Sequence, residues 1–215
     1  MKSLKVISDT AATFSKFLKL RNVKFIQNGM PRSWDYISSK DSVTALVFDK
    51  KNQEFVCVQQ FRPAMFFGAS EMSKETIKNP NMGYCYELCA GLLDRPNRSK
   101  EQAVCDEIQE ELGYVVKPED LEFVGRTPGA VGMSGSRMYM YYVEVTPDQK
   151  KFQGGGLKEE GEQISEYRVP LSEMDAFLAD YEQEKSASIM MGMYWWRHLR
   201  GKNYPVGKFT KWHVC

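Results

Sequence analysis

Between Ser99 and Gly113 the chain spells out a complete helix with its own start and stop signals, and no other stretch leaves the fold less freedom. Ser99 followed by Gln102 is a capping-box pattern, in which each side chain satisfies the other's backbone N–H. Gly113 stands where helices end in a left-handed residue. Val104, Ile108 and Leu112 recur at helical spacing, so one face of this helix must be covered by another layer. Strand-like runs supply that layer. Ser42–Phe48 and Glu54–Phe61 are rich in Val and Phe and flank the polar turn Asp49–Gln53, which predicts a hairpin.

Further strands are expected at Tyr84–Leu88, Leu121–Gly125, Arg137–Val145 and Ile164–Val169, and helices at Leu171–Glu184 and Ala187–Arg200. Ala64–Gly83, Gly91–Arg98 and the glycine-rich Phe152–Gln163 read as loops. Ahead of the hairpin, Ile7–Leu20 reads as a short helix capped by Asp9 or Thr10. Asn22–Gly29 then alternates weakly into an Asn28-Gly29 turn, and Ser33–Tyr36 returns as a strand. The pattern is α+β, a mixed sheet between helices.

Composition narrows the class. The chain has 215 residues, enough for one domain with an added piece. Lys and Arg total 29 against 28 Asp and Glu, so the net charge is +1 and no global basic field exists to collect nucleic acid. No apolar run approaches the roughly 18 residues of a membrane span. Five cysteines without a regular framework, and no signal peptide, point to a reducing interior and a cytoplasmic location. His198 and His213 are too few for a zinc site, and His198 reads as packing.

The chemistry sits on the capped helix. Glu107 and Glu111 are i, i+4 neighbours, and Glu110 lies beside them. Glu111 falls on the edge of the apolar stripe, near the core, where an unpaired carboxylate is costly. Three clustered carboxylates suit a hard divalent cation with oxygen ligands, such as Mg²⁺ or in its place Mn²⁺. In isolation the same pattern also fits a solvated acidic face.

The segment Gly91–Tyr114 resembles the Nudix box: Gly, five residues, Glu, seven residues, then Arg-Glu-apolar-x-Glu-Glu-x-Gly-apolar. Glu107, Ile108, Glu110, Glu111, Gly113 and Tyr114 match. Gly91 lies one residue too far upstream, Arg98 stands at the first Glu, and Asp106 stands at the Arg. Gln60-Phe-Arg-Pro63 and Glu87-Leu-Cys-Ala-Gly91 resemble the ADP-ribose and nucleotide-sugar branch of that family, and Ser33-Trp-Asp-Tyr36, Gly154-Gly-Gly-Leu157 and Glu159-Glu-Gly-Glu162 resemble its members that cleave UDP-sugars.

The resemblance implies an α/β/α sandwich over residues 41–215, with residues 1–40 as an extension that pairs two copies into a homodimer and completes the nucleoside pocket. It implies Mg²⁺-dependent hydrolysis of a small-molecule nucleotide sugar, UDP-glucose to UMP and glucose 1-phosphate. ADP-ribose hydrolysis, or a module that binds nucleotide sugar without turnover, is the alternative. By the resemblance Glu107, Glu111, Glu162 and the Ala90 carbonyl hold metal, and Glu110 supports catalysis. Glu160 is the base, with Glu159 and Glu162 as alternatives. Arg62, Glu87 and Arg137 belong to the substrate site, although a surface role also explains Arg137. Trp34 stacks on uracil or packs at an interface. The glycines at 154–156 let their loop close over substrate.

Overall fold

The computed structural model describes residues 7–8, 13–15, 18–68 and 83–204. Its first element is a hairpin, β1 (Lys19–Gln27) and β2 (Met30–Ser38), paired in full antiparallel register as a sheet of its own. Asn28 (φ 52°) and Gly29 (φ 79°) make the two-residue turn, and both positive values match the mirror-image turns that fit strand twist. The helix expected over Ile7–Leu20 is not seen in its described part. Lys19 and Leu20 already belong to β1, because pairing across the Asn28-Gly29 turn extends the strand to them. The Asp9 and Thr10 cap lies outside the described residues.

The main sheet has seven strands. β3 (Ser42–Asp49) and β4 (Glu54–Phe61) pair only at their turn end, Val47↔Val56 to Asp49↔Glu54. Beyond it they part, and two short strands fill the gap. β5 (Tyr84–Glu87) pairs with β4 and β6 (Cys89–Leu92) with β3, the chain stepping across at the buried Leu88. β7 (Glu122–Pro128) and β8 (Arg137–Val145) extend the sheet from β3, with β3 and β8 parallel. β9 (Ile164–Pro170) lines the far edge of β4.

Period-two alternation divides β3 and β4 between two cores. Val43, Ala45, Val47, Val56 and Val58 face α2 (Lys100–Glu107), meeting Val104, Ile108 and Leu112. Leu46, Phe48, Phe55 and Cys57 face α3 (Met174–Ala179) and α4 (Ala187–Leu199). Trp196 of α4 packs on Phe48 and Phe55, each ring 5.1 Å away, and its indole N–H donates to the Tyr142 hydroxyl at 3.1 Å. Each such fully buried side chain contributes about 1.5–3 kcal/mol. With both faces of β3 covered, the molecule is the expected α/β/α sandwich.

Three expectations change. Pro63–Phe67 forms the short α1 instead of loop, with Pro63 at a first-turn position where its missing N–H costs nothing. The helix expected to run to Glu184 stops at Ala179. There the Asp180 carboxylate takes the Glu182 N–H at 2.9 Å and the Gln183 amide at 2.7 Å, a local turn that competes with helix. His198 is exposed, because it falls off the stripe Ile189, Met193, Trp196 that meets the sheet. Among the described residues no helix is long and apolar enough to cross a membrane.

Candidate active site

The split between β3 and β4 positions the site. It brings Ala90 and Gly91 of β6 against the end of α2, and one cavity of about 480 Å³ opens there. Glu107, Glu110, Glu111, Glu160, Glu162 and Arg62 all line it. Glu111 is 4% exposed, and its Oε2 accepts the Ala90 N–H at 3.2 Å. The carboxylate of Glu107 lies over Gly91 so closely that a Cβ there would fall on it. Gly91→Ala must therefore first displace the Glu107 carboxylate, the far end of a flexible side chain. We expect kcat/KM to fall about 10- to 100-fold, the scale of a 1 Å misplacement, with melting temperature nearly unchanged. A melting curve beside steady-state kinetics checks this.

The helix does not stop at Glu107. Ile108–Leu112 continues it as a wider π-helical turn that closes at Gly113, whose φ is 79°. Such turns recur at functional sites because they re-aim side chains. Two carbonyls of this turn are answered from the glycine loop: the Gly155 N–H donates to Glu111 O at 2.8 Å and the Gly156 N–H to Glu110 O at 3.0 Å. Gly154, Gly155 and Gly156 all have positive φ, which only glycine adopts freely. The triplet expected to let its loop close over substrate thus also caps the carboxylate helix. It also sets Glu162, whose Oε2 takes the Leu157 N–H at 2.8 Å. Glu160 ends the adjoining short turn, exposed at the cavity rim, and Glu159 is exposed but does not line the cavity.

Two arginines bring positive charge. Arg62 donates from Nε to Glu87 at 2.6 Å and from Nη2 at 2.5 Å. Glu87 is therefore the anchor of Arg62 and does not itself line the cavity. Arg95, which sequence reasoning missed, lines the cavity and donates to both oxygens of Glu110 at 3.0 and 3.2 Å. A signal for it was present: Asp106 and Glu110 are an i, i+4 acidic pair that needs cations, and Arg95 and Arg98 precede the helix.

Trp34 and Arg137 lie apart from this cavity. Trp34 is 47% exposed on the hairpin, and its indole N–H donates to Gly132 O at 3.2 Å. Arg137 is exposed at the start of β8, its backbone N–H on Asp41 Oδ1 at 2.8 Å. The Ile37 N–H also bonds Met133 O at 2.7 Å, so the hairpin and the 129–136 loop are tied together.

The NUDIX domain pattern matches residues 38–190. This chain belongs to the Nudix family. It is 37% identical over 196 residues to the uridine diphosphate glucose pyrophosphatase NUDT14 of Bos taurus, covering 84% of this chain and 88% of that protein. It is 26% identical over 198 residues to a GDP-mannose pyrophosphatase of Citrobacter koseri, covering 88% and 91%. In fold it is similar to a crystal structure titled ADP compounds hydrolase, with a TM-score of 0.62 at 18% identity, covering 92% and 98% of the two chains.

Two of the three departures from the Nudix box explain one another. Arg98 and Asp106 pair at 3.1 Å, so the charges have traded places and still meet. The exchange removes no carboxylate from the cavity. Burial and the neighbouring carboxylates push Glu107 up to about 7, with Arg95 opposing. Burial pushes Glu111 up to about 8, and Glu107 adds to it, although donors at Cys89 and Ala90 favour the charged form. Even with Arg62 and Arg95 in the cavity, Glu107 and Glu111 stay raised, a condition that a divalent cation would relieve. Among the described residues no three acidic, His or Cys side chains converge on one point, and Arg95 and Ala90 hold Glu110 and Glu111 to separate partners.

Proposed function

We propose that this Nudix hydrolase cleaves the diphosphate of UDP-sugars, turning UDP-glucose and water into UMP and glucose 1-phosphate, with Mg²⁺ as its ion and Mn²⁺ as a substitute. The carrying observation is the single cavity that joins five glutamates to Arg62, on a chain similar over most of its length to a uridine diphosphate glucose pyrophosphatase.

Glu107, Glu111, Glu162 and the Ala90 carbonyl would hold the ion, with Glu110 in support. A divalent ion held there would supply neutralisation of phosphate oxygens, polarisation of phosphorus and orientation of the attacking water. Glu160, exposed at the rim and free of the helix packing, takes the proton of that water at its carboxylate. Arg62, braced by Glu87, fixes a phosphate through charge-assisted bonds. Burial behind β6 and α2 keeps the carboxylates close while the glycine loop sets the position of Glu162.

The proposal extends to the assembly. Residues 1–40 are a dimerisation extension and residues 41–215 the Nudix domain. One face of the β1–β2 hairpin exposes Val23, Phe25, Met30 and Trp34, a concentration of apolar surface suited to a second copy. Trp34 would reach uracil, and Arg137 a phosphate, in that paired form. Cys57, Cys85, Cys89 and Cys105 are free thiols, which supports a reducing, cytoplasmic setting.

Product formation from UDP-glucose and ADP-ribose, side by side with and without Mg²⁺, tests the reading. UMP formed only with Mg²⁺, and faster than AMP from ADP-ribose, is the expected result. Faster cleavage of ADP-ribose would keep the fold and mechanism and overturn the UDP-sugar reading of the pocket. No cleavage of either would overturn the activity in favour of nucleotide-sugar binding alone.

A further inference from the structure

We propose that Arg95 is a second phosphate-binding arginine of the site, held over the cavity by Asp106, and that its bond to Glu110 is a latch opened when Glu110 turns to a divalent cation. The inference rests on the diphosphate-cleaving reading above.

Arg95 lies on the loop between β6 and α2, where the chain carries one residue more than the family spacing. Its side chain is 46% exposed and lines the same cavity as Arg62. The two arginines have different supports. Glu87 takes both donors of Arg62 that it meets, from within the sheet. Arg95 divides itself: Nη2 on Glu110 at 3.0 Å, and Nη1 towards Asp106 Oδ2 at 3.5 Å. Asp106 is in turn fixed by Arg98 at 3.1 Å. Asp106 and Arg98 therefore form a base on which Arg95 is mounted, and Glu110 is its exchangeable partner.

The exchange follows from charge. Glu110 sits with Glu107 and Glu111, and a doubly charged ion among three carboxylates outcompetes one guanidinium for them. When Glu110 turns to the ion, the fork of Arg95 is left charged, tethered at Asp106 and facing a cavity that receives a diphosphate. A planar guanidinium is the side chain best matched to phosphate oxygens. The free enzyme thus keeps its carboxylates apart with an internal cation and releases that cation to substrate.

The test uses Arg95→Ala, Arg95→Lys and Asp106→Asn beside wild type, with two readouts: steady-state kinetics on UDP-glucose, and calorimetric titration of Mn²⁺ alone. Arg95→Ala should raise KM about 10- to 100-fold, the worth of a hydrogen bond to a charged group, with a smaller fall in kcat. Arg95→Lys should recover part of that loss, and Asp106→Asn should fall between. In the absence of substrate, Arg95→Ala should bind Mn²⁺ several-fold more tightly, because Glu110 no longer has a competitor. An unchanged KM, or weaker Mn²⁺ binding in a variant that melts like wild type, would overturn the proposal and leave Arg95 a structural brace. If wild type itself fails to cleave UDP-glucose, the substrate reading has failed, while the Mn²⁺ titration still decides the latch.

Discussion

Glu111→Gln should abolish hydrolysis and, in the metal-free protein at pH 8 and above, should raise the melting temperature. Both effects have one cause. Glu111 is 4% exposed, and burial pushes its carboxyl up to about 8 from an ordinary value of 4.5. Glu107 is pushed up to about 7 in the same way. Because the folded values are raised, the stability these groups contribute is complete below pH 4.5 and is lost as pH rises through about 7 and 8. Above that the native state carries buried charge that the unfolded chain solvates freely. A neutral amide of the same shape removes the cost, on the order of a few kcal/mol, at about 2–4 °C per kcal/mol for a chain of this size.

The same substitution removes the charge that a divalent ion needs. Wild type should gain about 2.7 kcal/mol of stability with the ion at 100 times its dissociation constant, and at one fixed ion concentration more at pH 8.5 than at pH 6. Glu111→Gln should gain little at either pH. Turnover should drop on the order of 10³-fold or more, since metal-assisted charge stabilisation supplies several kcal/mol of the barrier. Melting curves at both pH values, with and without Mg²⁺, check the first claim, and UMP release checks the second. A metal-free variant less stable than wild type at pH 8.5 would refute the account of the site as an uncompensated acidic cluster.

Glu160→Gln should lose about 10²- to 10⁴-fold in kcat, the usual worth of a positioned general base, while binding Mn²⁺ as wild type does. The argument is one of place. Glu160 lines the cavity at its exposed rim, where water is available, and makes no bond to the helix. Glu162 is half-buried and already holds the Leu157 N–H. Its carboxylate adds to the upward push on both Glu107 and Glu111, so it belongs with the ligand charges. Glu162→Gln should therefore weaken Mn²⁺ binding first and kcat second. Glu159 does not line the cavity, and Glu159→Gln should behave as wild type. If Glu162→Gln instead abolishes turnover with Mn²⁺ affinity intact, the two roles are exchanged.

Much of this was open to reading in the chain itself. The capping box at Ser99, the stripe Val104, Ile108, Leu112 and the stop at Gly113 are local matters of hydrogen bonding and periodicity, and the helix begins, faces and ends where they place it. The Asn28-Gly29 turn and the alternation of β3 and β4 are equally local. Three carboxylates at that spacing offered a candidate site, and only the likeness to the Nudix box set it apart from a solvated acidic face.

The tertiary structure decided what depends on segments far apart in sequence. Nothing local says that β3 and β4 part after three pairs and admit β5 and β6, yet that split sets Ala90 beside Glu111 and Gly91 beneath Glu107. Nothing local says that two glycines over forty residues on answer the carbonyls of Glu110 and Glu111. Arg98 and Asp106, which read singly as losses from a motif, became a pair only when the loop folded onto the helix. Periodicity and capping are paid for within a few residues of chain and so are written there. The choice of partner for a buried charge is settled by whichever distant group the packed sheet brings within a few ångströms.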